Sequence, residues 1–152
     1  MLAGCGGPAV TPDTPPEILY GEDVCAQCGM IISDERFAAG LVVELAPDVY
    51  EHRIFDDIGG MLTYVQEHAQ AITIVAYFVH DYNSKEWINA ESAYFVRSNA
   101  LHTPMGYGLA ACAQELEAQA LAEEWQGELL TFAQLNDGSA GYDAPQSHLH
   151  SD

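Results

Sequence analysis

The sequence predicts an α+β fold made of two small repeated units, each of strands plus one helix. Three observations carry this expectation. Apolar runs rich in β-branched and aromatic residues occur at strand length at 37–45, 50–55 and 72–79, and again at 85–88, 93–96 and 129–135. Two intervening stretches repeat their apolar residues at helical spacing. The order of two strands, a helix and a strand then occurs twice, the mark of a degenerate internal repeat. At 152 residues and 49% hydrophobic content the chain can bury one core, which excludes wholesale disorder.

The chain divides into 1–23, a lipid-attachment signature and flexible linker; 24–82, the first α/β unit; 83–136, the second; and 137–152, a mobile tail. Leu2-Ala3-Gly4-Cys5 has the aliphatic residue, two small residues and Cys of an exported lipoprotein's processing site, so Cys5 is expected to carry the lipid. The basic and apolar stretch that precedes such a site is missing, which points to a truncated or mis-started chain. Gly6-Gly7-Pro8 through Thr14-Pro15-Pro16 reads as an extended tether.

In the first unit, Asp56-Asp57 opens a helix whose Ile58, Met61, Leu62 and Val65 fall at i, i+3, i+4 and i+7. Capping explains this carboxylate pair better than acid–base chemistry or a hard metal site. In the second unit a helix is expected over 108–125, with Leu109, Ala113, Leu116 and Ala120 in phase. Cys112 falls on it as a small buried thiol, and Trp87 and Trp125 read as core anchors. The tail holds His148 and His150, which read as solvated residues. No run of about 18 apolar residues occurs, so no transmembrane helix is expected.

Charge is the unusual feature: 23 acids against 4 bases give −19, although charged residues make up only 18% of the chain. The bases are Arg36, Arg53, Lys85 and Arg97. Phosphate backbones need clustered cations, so nucleic acid is excluded as a partner, as is electrostatic attachment to an anionic membrane. The acids read as solvated surface of the kind that dense salt screens.

Cys25-Ala26-Gln27-Cys28-Gly29-Met30 is the cluster with chemistry in it. A closed zinc site wants a second ligand pair, which is lacking. A thioredoxin-like redox pair wants a helix after the motif, where an extended segment is expected. A plain disulfide remains open, since export permits it. The remaining reading is a soft metal site. In extended backbone Cys28 and Met30 share a side, and a thiolate with a thioether selects Cu(I). Met105, in Thr103-Pro104-Met105-Gly106, sits on a loop just ahead of the expected second helix and is available as a further ligand; His102 is an additional or transient one.

Together, Cys28-Gly29-Met30, the 55–59 segment Phe-Asp-Asp-Ile-Gly, Asp81-Tyr82, the 86–90 segment Glu-Trp-Ile-Asn-Ala, Thr103-Pro104-Met105-Gly106 and Gly108-Leu109-Ala110-Ala111 resemble the NosL-type copper lipoproteins, accessory proteins for nitrous-oxide reductase and so for denitrification. The resemblance runs over 24–135. It implies a fold similar to the organomercurial lyases, with two small α/β units. It implies a metallochaperone rather than an enzyme, lipid-anchored on the outer face of the cytoplasmic membrane or in the periplasm. Its cargo would be Cu(I), passed to nitrous-oxide reductase or its membrane transporter assembly by ligand exchange. Carried onto this chain, Cys28 and Met105 are the principal ligands, Met30 is next and Cys25 is auxiliary. The competing readings are a thiol–disulfide oxidoreductase or lyase-like enzyme using Cys25 and Cys28, and a structural lipoprotein with a plain disulfide.

Overall fold

In the computed structural model, which describes residues 9–136, the apolar run beginning at Ala39 forms the central strand of a four-stranded sheet. β1 (Ala39–Ala46) pairs antiparallel with β2 (Val49–Phe55) on one side and with β3 (Thr73–His80) on the other. Between β2 and β3 runs α1 (Ile58–His68), whose Ile58, Met61, Leu62 and Val65 are all buried, as their spacing requires. Beyond β3 lies the short β4 (Trp87–Asn89), which completes the order β2-β1-β3-β4. A second, three-stranded sheet has the order β6-β5-β7, from β5 (Tyr94–Arg97), β6 (Leu109–Cys112) and β7 (Glu128–Thr131), with α2 (Glu115–Glu124) between β6 and β7. The chain ends its described part in α3 (Phe132–Asn136).

The fold is α+β, and a strand–strand–helix–strand plan occurs twice, each time with the first strand in the middle of its sheet. One core joins the halves: Leu41, Phe55, Ile58, Met61 and Val79 pack with Phe95, Leu109, Leu130 and Phe132. At the seam Asp81 bridges in parallel to Ala111, accepting the N–H of Ala113 and of Ser84, both at 2.8 Å.

Four expectations are corrected. The strand expected at 85–88 does not open the second unit but pairs with β3 as β4. The expected 108–125 helix is two elements, since Leu109 to Cys112 pair with β5 and are buried on both faces, and tertiary pairing overrides the helix preference of its alanines. The helix therefore starts at Glu115, which leaves Leu116 79% exposed and buries Ala118 and Leu121 instead. The apolar run at 129–135 breaks at Thr131, whose hydroxyl caps the Gln134 N–H (3.3 Å) while Gln134 Oε1 accepts the Thr131 N–H (2.8 Å), a capping box that turns strand into α3.

The linker, finally, is docked rather than free from Val10 onward. Val42, Ala76 and Phe78 of the first sheet form a small apolar cluster of their own, and Val10 packs against it. His52 Nε2 meets the Thr14 carbonyl at 2.7 Å, and Gly40 leaves room for the Pro16 ring. Cys5 and the 137–152 tail with His148 and His150 lie outside the described residues. Among the described residues no helix is long and apolar enough to cross a membrane.

Candidate metal centre

The Cys25-to-Met30 segment is a closed turn rather than an extended strand. Val24 bridges antiparallel to Ile31, the Cys25 N–H donates to the Met30 carbonyl at 2.8 Å, and the Gly29 N–H donates to the Cys25 carbonyl at 2.9 Å. Gly29 adopts φ 74°, a left-handed conformation that a side chain would disfavour. The Ala26 N–H donates to the Ile54 carbonyl at 2.8 Å, which fixes the turn beside the end of β2. The two residues after β2 are Asp56 and Asp57, so the turn lies against the opening of α1.

Cys25 is buried, 2% exposed, and Cys28 is half-buried. Both are free thiols, as is Cys112. The Cys28 Sγ donates to the Asp56 carboxylate at 3.6 and 3.7 Å, the longer distances expected with sulfur. Cys25, Cys28 and Asp56 each offer a ligand atom within 4.8 Å of the others. Burial pushes the Cys25 thiol up to about 12, and the Asp56 charge adds to this against backbone hydrogen bonds that lower it. A metal arriving at Cys25 must therefore displace a proton.

Sequence reasoning missed Asp56. It treated the Asp-Asp doublet as one capping signal, yet a helix has one N-cap. Asp57 is that cap, with Oδ1 accepting the Gly59 N–H at 2.8 Å. The doublet itself was the available signal, because capping leaves one of its two carboxylates unexplained, and that one is 97% buried beside a thiol.

The loop carrying Met105 arrives from the second unit. The Met105 N–H donates to Asp57 Oδ2 at 2.8 Å, the Gly106 N–H closes a turn onto the Thr103 carbonyl at 2.9 Å, and the Tyr107 hydroxyl meets Thr63 Oγ1 of α1 at 3.0 Å. Gly106 and Gly108 have φ 78° and 68°. Met105 is half-buried. The strand β6, not a helix, follows it, so the helix N-terminus beside the thiols is that of α1.

Two expected ligands sit differently. The left-handed Gly29 breaks the alternation that was to align Met30 with Cys28, and Met30 is 62% exposed. His102 is exposed and stands outside the Cys25, Cys28 and Asp56 group.

What has gathered is a donor set for a soft or borderline ion: two thiols and a carboxylate, with a thioether loop hydrogen-bonded to the next residue along. The NosL family model matches residues 16–140. A curated protein named copper-binding lipoprotein NosL, from Stutzerimonas stutzeri, is 30% identical over 156 residues, covering 97% of this chain and 80% of that protein. The crystal structure of the copper chaperone NosL from Shewanella denitrificans superposes with a TM-score of 0.70 at 20% identity, covering 82% of this chain and 96% of that one.

Proposed function

Because the chain belongs to the NosL family, we propose that it is a lipid-anchored copper chaperone that binds one Cu(I) outside the cytoplasmic membrane and hands it on by ligand exchange, with no catalysis of its own. The observation that carries this reading is the convergence at the opening of α1, where the Cys25, Cys28 and Asp56 group lies one residue from the carboxylate that holds the Met105 loop. Cys28 and Met105 are the principal ligands, and Met30, exposed at the rim, is next. Cys25 is auxiliary, since its high thiol pKa makes it a reluctant thiolate. Asp56 is a poor ligand for a soft ion and acts instead as acceptor for the Cys28 thiol. Two or three soft ligands leave Cu(I) under-coordinated, with an open face for an incoming Cys, Met or His; a four-ligand cage would release it slowly. Cys5 carries the lipid, and the recipient is nitrous-oxide reductase or its membrane transporter assembly. Titration of the reduced protein with Cu(I) tests the core of this reading. About one ion binds per chain, Cys28→Ser abolishes binding and Met105→Ala weakens it; unchanged affinity in both variants overturns it.

A further inference from the structure

We infer that Asp57 is a positioning residue for copper binding, a single carboxylate that caps α1 and holds the Met105 loop in reach of Cys28. This rests on the copper-binding reading above. Asp57 is fully buried, at 0% exposure. Capping needs only one of its oxygens, and Oδ1 performs it on the Gly59 N–H. The other, Oδ2, reaches 48 residues along the chain to the Met105 N–H at 2.8 Å. The Thr103 hydroxyl donates to the same carboxylate. A Ser or Asn would cap the helix equally well, so the cap alone does not call for a buried charge with two oxygens.

The neighbouring side chain completes the arrangement. Asp56 takes the Cys28 thiol while Asp57 takes the Met105 amide, so two consecutive carboxylates hold the two loops of the site to one helix opening. The Met105 loop leaves β5 and returns to β6, both in the other sheet. The loop also meets α1 through the Tyr107–Thr63 contact, two residues on. Without Oδ2 the Met105 segment keeps its turn but loses the bond that fixes it to the opening of α1.

The test uses Asp57→Asn and Asp57→Ser, both of which retain a capping oxygen. Amide hydrogen exchange reads the cap and the clamp separately: Gly59 stays protected in the variants while Met105 exchanges faster. X-ray absorption of the Cu(I)-loaded protein is expected to lose one sulfur neighbour in each variant, as in Met105→Ala. Cu(I) affinity is expected to fall about 10- to 100-fold, the usual range for a residue that orients a ligand. Adding Met105→Ala to Asp57→Asn is expected to cost nothing further, because both remove the same thioether. Wild-type sulfur count and affinity in both Asp57 variants, or losses that add in the double variant, overturn the inference while leaving the copper reading intact. A wild-type protein that binds no Cu(I) overturns both.

Discussion

The two repeated units share a strand order but differ at the turn from second strand to helix. In the first, β2 gives way to Asp56 and Asp57, both buried and both bonded across the chain, to Cys28 and to Met105. In the second, β6 gives way to Ala113 and Gln114, both exposed, and α2 has no side-chain cap. Each turn has a buried thiol close by, and burial pushes both Cys25 and Cys112 up to about 12. They differ in company. Cys25 has a second thiol and a carboxylate within ligand reach, whereas the charges acting on Cys112 are the repelling carboxylates of Asp81 and Glu117. A buried cysteine near a strand–helix junction is common to both units; what sets the proposed metal site apart is a pair of loops gathered onto the helix opening.

The largest effect separates the junctions directly. Cys28→Ser is expected to abolish Cu(I) binding, while Cys112→Ser leaves it at wild-type affinity, both read by competition with a Cu(I) chelator. A copper defect in the Cys112 variant would break the distinction.

The pH dependence sharpens the role of Cys25. Burial pushes its thiol up to about 12, so it carries its proton at neutral pH in the metal-free protein and copper ligation there releases that proton. Apparent affinity should then weaken by about tenfold for each unit of falling pH per proton displaced. If Cys25 joins the ligand set, Cys25→Ser flattens this slope; an unchanged slope removes Cys25 from the set.

How much of this was legible follows the physics of each element. α1 could be read because its buried face obeys one period and faces one core. β6 could not, because Leu109-Ala110-Ala111-Cys112 is short and alanine-rich, and its pairing with β5 is a tertiary fact. The docking of Val10 and Pro16 was likewise invisible, since the cluster of Val42, Ala76 and Phe78 and the space at Gly40 come together only on folding. At the site, Cys25, Cys28 and Met105 could be singled out by residue type and motif. The exposure of Met30 hinged on the left-handed Gly29, and Asp56 was hidden behind a capping signal that belonged to Asp57.

The seam supplies a smaller effect, on stability. Burial works against the Asp81 carboxylate, but the N–H groups of Ala113, Ser84 and Asn83 outweigh it and hold its pKa below the usual range. Its stabilisation is thus complete above the unfolded carboxyl pKa of about 3.9 and is lost as pH falls through the lower folded value. Asp81→Ala should cost about 1–3 kcal/mol in urea unfolding at neutral pH by stranding those donors, and should flatten the loss of stability between wild type and variant at acid pH. An equal cost at every pH would rule out this carboxylate as the source.

Smallest per residue, and spread over both units, is the charge effect. The four bases pair with Asp34, Glu51, Glu35 and Glu128, and with 23 acids against 4 bases the acids stay in large excess. Melting temperature should climb between 0.1 and 1 M NaCl, over which the screening length falls from about 10 to about 3 Å. A flat response would mean the surface acids repel one another too weakly to matter.

The gathered loops are expected to make a soft site rather than a generic thiol–carboxylate one. Competition between Cu(I) and excess Zn(II) on the reduced protein, run beside Met105→Ala, separates the two. Soft thioether ligation predicts that Cu(I) is retained against zinc in the wild type and that Met105→Ala narrows the preference. Displacement of Cu(I) by Zn(II), or a preference indifferent to Met105, would contradict it.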